Sequence, residues 1–383
     1  MKPIRIFSPN IDFQAEISNY ESLIFVRSWS GIGDLELRIN RYKNYTETLK
    51  KGNIIVVGNQ LHKAYIILHK EIELDEKGKI TENWIIKALE LKSVVGRRIT
   101  LPPSHTAYDN RRGAAETVMK HYVDRNIVNP SNVARKIDQL VIAEDQGRGM
   151  TVDWSSRLKN VAEELSAISS YAKVGWNVRV DYDTKKWIFD VSEGKDLTVN
   201  QTENSPVIFS PEFDSIKEMS FSDSDMNFKN TAYIGGQGEG IDRRIVELGD
   251  QTGLSRFELF VDARDISEET DTDPPEPRDE NEVINELENR GRQKLSEYET
   301  ELFLEAQIMT HSTFEYEKDW DLGDRVTIQN KGWGVTMDTR ITEVREIYET
   351  GGYQIEATFG SSRPTLIQKI KQELEQFSGE IRK

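Results

Sequence analysis

The chain has 383 residues, of which 37% are hydrophobic and 30% charged, and it carries a formal net charge of −16. That balance predicts a folded, soluble chain of about two to four domains, and its acidity argues against a surface that grips a nucleic-acid backbone. No cysteine is present, which excludes disulfide scaffolds, thiol nucleophiles and zinc–thiolate sites and fits synthesis in a reducing compartment.

The opening MKPIRIFSPNIDF lacks the basic and apolar regions of a signal peptide, and no apolar run approaches membrane-spanning length. Residues 1–100 read as strands: IRIFS, SLIFVRSW, DLELRI, NIIVVG, KAYIILHKEIEL and NWIIKALEL are short, rich in Ile, Val and aromatics, and separated by turn residues. This is the pattern of an antiparallel barrel or sandwich.

Residues 101–200 change character and read as a small α+β insertion. Ala114, Ala115, Val118, Met119, Tyr122 and Val123 form one helical stripe, and Leu158, Val161, Ala162, Leu165 and Ile168 form a second. Gly175 is placed to end that second helix. In GWNVRVDYDTKKWIFDV, two alternating runs flank a turn at Asp183 to Lys186, which predicts a hairpin.

Residues 201–266 read as a β-rich return, and 267–282 (SEETDTDPPEPRDENE) as a solvated acidic, proline-rich loop. A helix is expected over 283–304, with Ile284, Leu287, Leu295, Tyr298 and Leu302 on one face. Residues 305–362 read as a second small β-barrel. A C-terminal amphipathic helix is expected over 363–383, opened by Pro364 and lined by Leu366, Ile367, Ile370, Leu374 and Phe377.

No catalytic constellation emerges. Gly236, Gly238 and Gly240 are spaced G-x-G-x-G, but the following IDRRIVEL alternates like a strand. A dinucleotide loop would run into a helix, so a loop or bulge between strands is the better reading. Asp223, Asp225 and Asn227 begin like a calcium loop, yet Phe228 and Ile234 stand where glycine and a bidentate glutamate are needed. His62, His69, His105, His121 and His311 form no metal-ligand pair. Ser156 to Lys159 matches S-x-x-K without its partner motif. Leu322, Gly323 and Asp324, with Arg340 on the return, specify a hairpin with a glycine-mediated entry.

Several pieces together resemble the tail-hub proteins of long-tailed phages and prophages of Gram-positive hosts, the ReqiPepy-type siphovirus tail proteins. They are LIFVRSWSGIGDLELRI (23–39), LKKGNIIVV (49–57), LELKSVVGRRIT (89–100), GWNVRVDYDTKKWIFDV (175–191), YIGGQGEGIDRRIV (233–246), GLSRFELFVDARDI (253–266), WDLGDRVTIQNKGWGV (320–335) and RITEV (340–344). They keep their order over nearly the whole chain. The pair GGQGEG and RFELFVDARDI is the more specific part; LGDRV with RITEV recurs across tail hubs.

The resemblance implies a β-rich α+β hub similar in fold to the baseplate hub of T-even phages. Two tube-like antiparallel β-barrels, an inserted α+β module and a C-terminal helix make up the subunit, and three subunits form a ring. It implies a virion tail-tip position and no catalytic residues, cofactor or metal. Its implied partners are the distal tail or tail tube protein, the tape-measure protein, and receptor-binding or tail-fibre proteins. DNA passes without specific binding, which an acidic lining favours by repulsion. Gly235, Gly236, Gly238 and Gly240 are assigned to a ring interface or barrel edge, where small residues let backbones approach. Leu322, Gly323, Asp324 and Arg340 are the barrel signature. Many tail-tip proteins continue into a C-terminal hydrolase or host-binding region; this sequence stops after one helix, so intrinsic wall hydrolysis is not expected. The alternatives are a tail-associated cell-wall hydrolase, which needs a hidden carboxylate dyad or metal, and a carbohydrate-binding tail module. For the latter, Trp29, Trp84, Trp176, Trp187, Trp320 and Trp333 offer stacking faces, although their strand patterns favour core packing.

Overall fold

The computed structural model describes residues 1–72, 82–270, 274–310 and 312–360. The helix expected over 363–383, and His311, lie outside the described residues. Among the described residues 41% are strand and 19% helix, and the chain divides into two compact units. One comprises 1–102, 108–220 and 304–360; the other is built mainly on 221–303.

The first unit opens with seven strands: β1 (Ile4–Phe7), β2 (Phe13–Ile17), β3 (Ser22–Ser28), β4 (Asp34–Asn40), β5 (Ile54–Val57), β6 (Ala64–Glu71) and β7 (Asn83–Glu90). They pair antiparallel in the order β3-β4-β7-β6-β5-β1-β2. All four residues of β5, IIVV, are buried. Successive strand side chains point to opposite faces, so a run buried throughout needs cover on both. Ile55 and Val57 enter one core with Leu23, Phe25, Leu37 and Ile86. Ile54 and Val56 enter another with the insertion that follows.

That insertion contains β8 (Asp109–Ala114), α1 (Ala115–Val123), β9 (Leu140–Ile142), β10 (Thr151–Ser156), α2 (Val161–Ala172), β11 (Gly175–Asp181) and β12 (Lys186–Ser192). Ala115, Val118, Met119, Tyr122 and Val123 of the first stripe and Val161, Ala162, Leu165 and Ile168 of the second point inward; Leu158 does not, being exposed at φ +55° ahead of α2. β11 and β12 form the expected hairpin from Gly175↔Ser192 to Asp181↔Lys186. Residues 101–200 therefore share a core with β5 and β6 rather than closing on themselves. Asn160 caps α2 by accepting from the backbone N–H of Ala162 at 2.9 Å. Gly175 does not end this helix. Lys173 does, at φ +57°, while Gly175 is the first residue of β11.

After the insertion come β13 (Asp196–Leu197), β14 (Ile208–Phe209) and β15 (Ile216–Ser224). At the end of the described chain lie β19 (Glu301–Ile308), β20 (Arg325–Asn330), β21 (Val335–Glu349) and β22 (Gly352–Gly360). The 15-residue β21 joins the two β-rich ends of the chain. Its first half pairs with β20 from Val335↔Asn330 to Arg340↔Arg325, and its second with β3 from Glu343↔Ser28 to Glu349↔Ser22. A register shift between Ile341 and Glu343 re-aims the strand between these partners. Hence 305–362 is not set apart from 1–100: both contribute to one fourteen-stranded sheet. Residues 201–220 also differ from expectation. β13 and β14 pair with β20, and Phe209 packs on Trp320 with ring centroids 5.3 Å apart, so this stretch completes the C-terminal core. Among the described residues the strand order of the fourteen-stranded sheet runs from β15 at one end to β2 at the other.

The second unit holds β16 (Thr231–Gly235), β17 (Ile245–Leu248), β18 (Glu258–Asp262) and α3 (Glu280–Leu295), with the sheet order β17-β16-β18. Ala232, Ile234, Leu259 and Val261 face Val283 and Leu287 of the helix. A Cβ on Gly291 would stand 2.7 Å from Ile234 Cδ1, so glycine lets helix and sheet approach closely. Asp279 caps α3. The helix stops at Leu295, short of the expected residue 304, and Leu302 belongs to β19, where ELFLEAQI alternates with period two. Within the expected acidic loop, Glu269 and Pro277 form an antiparallel bridge.

Candidate functional site

The glycine stretch is the connection between β16 and β17, and each conformation has a cause. The Arg243 guanidinium lies across the start of the loop, donating to the carbonyls of Gly235 at 3.0 Å and Gly236 at 3.1 Å, and to Asp262 at 2.8 Å. It also lies 5.3 Å from the Phe260 ring centre. A Cβ on Gly235 would stand 2.7 Å from Arg243 Cζ, and one on Gly236 3.3 Å from Leu287 Cδ1. Gly238 has φ +98°, and its Cβ would lie 2.5 Å from the Asp242 carbonyl oxygen. Gly240, at φ +57°, faces open space beside the fully exposed Ile241. The Gly236 amide bonds back to the Arg244 carbonyl at 2.8 Å. Gly238→Val is thus expected to cost about 2–4 kcal/mol through a left-handed backbone and a clash with main chain. Earlier denaturation of 221–303, followed by proteolysis or hydrogen exchange, measures it.

The second constellation is the hairpin entry, where Gly323, Asp324 and Arg340 converge and Leu322 packs on the adjacent core. Asp324 accepts from the backbone N–H of Lys195 at 2.7 Å and of Asp321 at 2.8 Å. Burial raises its carboxyl above the usual range despite these bonds. Arg340 donates to the carbonyls of Glu193, at 2.6 Å, and Gly323. Its guanidinium also sits 5.3 Å from the ring centre of Trp29. Trp29, buried at the end of β3, fills the hollow left by two glycines: a Cβ on Gly175 would stand 2.4 Å from its Cδ2, and one on Gly323 2.0 Å from its Cζ3. One indole thus joins the N-terminal sheet, the insertion hairpin and the C-terminal hairpin. The sequence reading found the hairpin residues and missed the partnership with Trp29. The only local signal was a tryptophan in a short Ser-Gly turn.

A third cluster was not visible in the sequence at all, because its members are spread over more than 300 positions, from Arg27 to Glu346. Lys63, with no side-chain exposure, pairs with the buried Glu346 and, at 3.0 Å, with Glu317. His62 Nε2 lies 2.8 Å from the same Glu317 oxygen. Arg27 donates to Tyr316 at 2.7 Å and Asp321 at 2.9 Å. Burial alone would raise the Glu317 carboxyl, but bonding from His62 and the adjacent Lys63 ammonium outweigh it and hold it at about 2.

A groove of about 600 Å³ opens on the sheet where β3, β15, β19, β21 and β22 come together. Its acidic lining is Asp34, Glu218, Glu305, Glu343 and Glu356, and Arg345 is its one basic residue, 3.4 Å from Glu356. Trp176, Trp187 and Trp320 are core residues, whereas Trp333 is exposed. Asp223 to Phe228 form the end of β15 and a turn closed by Phe228 N–H on the Asp225 carbonyl.

The family model for Siphovirus ReqiPepy6 Gp37-like protein matches residues 3–361. The chain belongs to this family of siphovirus tail proteins. No curated protein matches it. Among solved structures, the chain is similar to the 43 kDa tail protein of prophage MuSo2 from Shewanella oneidensis. That match has a TM-score of 0.58 and 12% identity, covering 93% of this chain and 98% of the other. A tail protein from Neisseria meningitidis MC58 matches with a TM-score of 0.56 and 14% identity over 94% and 97% of the two chains. Prophage tail protein gp18 from Listeria monocytogenes EGD-e matches with a TM-score of 0.51 and 10% identity over 99% and 100%. At these identities the likeness is one of fold.

In this tail protein the groove carries a built-in electrostatic cost. Burial, then the facing carboxylates of Glu90, Asp34 and Glu305, push Glu343 up to about 7, and Lys92 only partly opposes them. A folded-state value above the unfolded one means the neutral form is favoured on folding. That stability is fully present below about 4.5 and is lost as pH rises through about 7. Glu343→Gln should therefore be more stable than wild type at pH 8 by on the order of 1–3 kcal/mol, with the gap closing towards pH 4.5. Urea midpoints of both proteins across that range measure it.

Proposed function

We propose that this siphovirus tail protein is a hub at the tail tip. Three copies form a ring that closes the tail tube and passes the tape-measure protein and then DNA, without enzymatic activity of its own. The observation that carries the reading is the tail-protein family match, which runs through 3–361 and so takes in both compact units. In this reading the distal tail or tail tube protein lies above the ring and receptor-binding or fibre proteins lie below. The net charge of −16 suits a passage that must not retain a polyanion. Gly240 and Ile241, the open tip of the glycine connection, are the part of that loop free to meet a neighbouring subunit; Gly235, Gly236 and Gly238 serve the loop itself.

Disrupting the gene and imaging the resulting particles tests the assignment. A hub is required for completed tails, so particles should accumulate as heads and unfinished tails. Complete tails that adsorb normally would overturn it. Normal tails with lost wall clearance would instead favour the hydrolase alternative.

A further inference from the structure

The Glu317 carboxylate has the surroundings of a bound ligand rather than of an ordinary surface acid. One oxygen receives His62 Nε2 at 2.8 Å, Lys63 Nζ at 3.0 Å and Arg27 Nη1 at 3.5 Å, and the other accepts from the Gln60 side-chain amide. Three of these four donors are supplied by the tight turn joining β5 to β6, which is held independently of Glu317. Lys63 N–H donates to the Gln60 carbonyl at 2.8 Å, and Val57 N–H to the Lys63 carbonyl at 3.1 Å. Glu346 supplies Lys63 with a second counter-ion from β21, so the ammonium stays in place whatever Glu317 does. The Lys2 ammonium, 2.5 Å from Gln60 Oε1, orients that amide.

Glu317 itself reaches this cleft from a strained position. It is a non-glycine residue at φ +65°, at the head of a short turn closed by its own N–H on the Trp320 carbonyl at 2.7 Å. Residues held in the left-handed region persist where their surroundings compensate the strain. Here the compensation is the four-donor cleft. Glu315, Lys318 and Asp319 of the turn are exposed and Phe314 and Trp320 anchor it in the C-terminal core, while Tyr316 is held beside Glu317, accepting from Arg27 at 2.7 Å with its ring centre 4.8 Å from Lys63 Nζ.

We propose that Gln60, His62, Lys63 and Arg27 form a preformed carboxylate-binding site that the Glu317 side chain occupies in cis, and that accepts a carboxylate from outside once that side chain is removed. The ligand class is a small carboxylate, or an acidic side chain presented from outside the chain. Charged donors of this kind bind carboxylates in preference to neutral groups.

The test is chemical replacement of the missing group in the full-length protein. Glu317→Gly keeps the left-handed backbone and empties the site; Glu317→Gln leaves it plugged by a neutral amide. Melting midpoints are measured in sodium formate and in sodium chloride at equal ionic strength. Formate should raise the midpoint of E317G saturably, by about 2 °C or more beyond chloride, and leave wild type and E317Q unmoved. If E317G does not fold, Glu317→Asn serves in its place, since asparagine tolerates the left-handed region and is one methylene too short to fill the cleft. Equal responses to formate and chloride in the vacated variant, or a formate response as large in wild type, would overturn the assignment.

Discussion

Gly323→Ala is expected to be among the most damaging small substitutions in this chain, at about 3 kcal/mol or more. Two effects add. The residue sits at φ +92°, where any side chain is strained, and the new methyl would stand 2.0 Å from Trp29 Cζ3. The indole has little room to give way, because Gly175 also lies against it and the Arg340 guanidinium sits by its ring. Trp29→Ala alone should cost about 3–5 kcal/mol as a cavity mutation. The double variant distinguishes clash from backbone strain. With the indole gone the clash disappears, so the pair should cost clearly less than the sum of the singles. Denaturant midpoints of the four proteins provide the cycle, and strict additivity would show that the indole does not set the requirement for glycine.

Removing one member of the buried ion cluster should be comparably severe. Lys63→Met leaves Glu346, only 1% exposed, and Glu317 without their shared cation. Uncompensated buried charge costs about 3–5 kcal/mol. Glu346 still accepts from Tyr348 at 2.8 Å and Tyr353 at 3.3 Å, bonds that hold the carboxylate in place without neutralising it. Neutralising the partner should recover much of the loss, so Lys63→Met with Glu346→Gln is expected to be more stable than Lys63→Met alone. The cluster also sets an acid limit. The depressed Glu317 carboxyl contributes stability above its unfolded value of about 4.5, which is lost as pH falls towards about 2. Lys63→Met should flatten that limb of the stability profile. Urea titrations from pH 3 to pH 7 read both effects.

Much of the fold was legible because its local signals are strong. The hairpin at Gly175–Ser192 follows from period-two alternation around a turn, and the stripe through Ala115, Val118, Met119 and Tyr122 follows from helical spacing. What failed was long-range. Nothing near Val335–Glu349 says that one strand pairs first with β20 and then with β3, some 300 residues away in sequence. Boundaries drawn from composition therefore separated two ends of one sheet. The IIVV of β5 did carry a clue, since an uninterrupted apolar strand implies cover on both faces. The α3 face was misplaced by one residue, on Ile284 rather than Val283, because a polar helix with few apolar positions leaves its stripe weakly determined. At the sites, glycines in odd backbone conformations were findable, while the Arg27, Lys63, Glu317 and Glu346 cluster has no sequence signature.

The central claim, that this tail protein works as a ring, is tested most directly by the solution mass of the purified full-length chain combined with negative-stain imaging. The account predicts a particle of three copies with a central opening wide enough for duplex DNA. A monomer that stays monomeric when mixed with the distal tail or tail tube protein proposed as its partner, with no ring in the images, would contradict it.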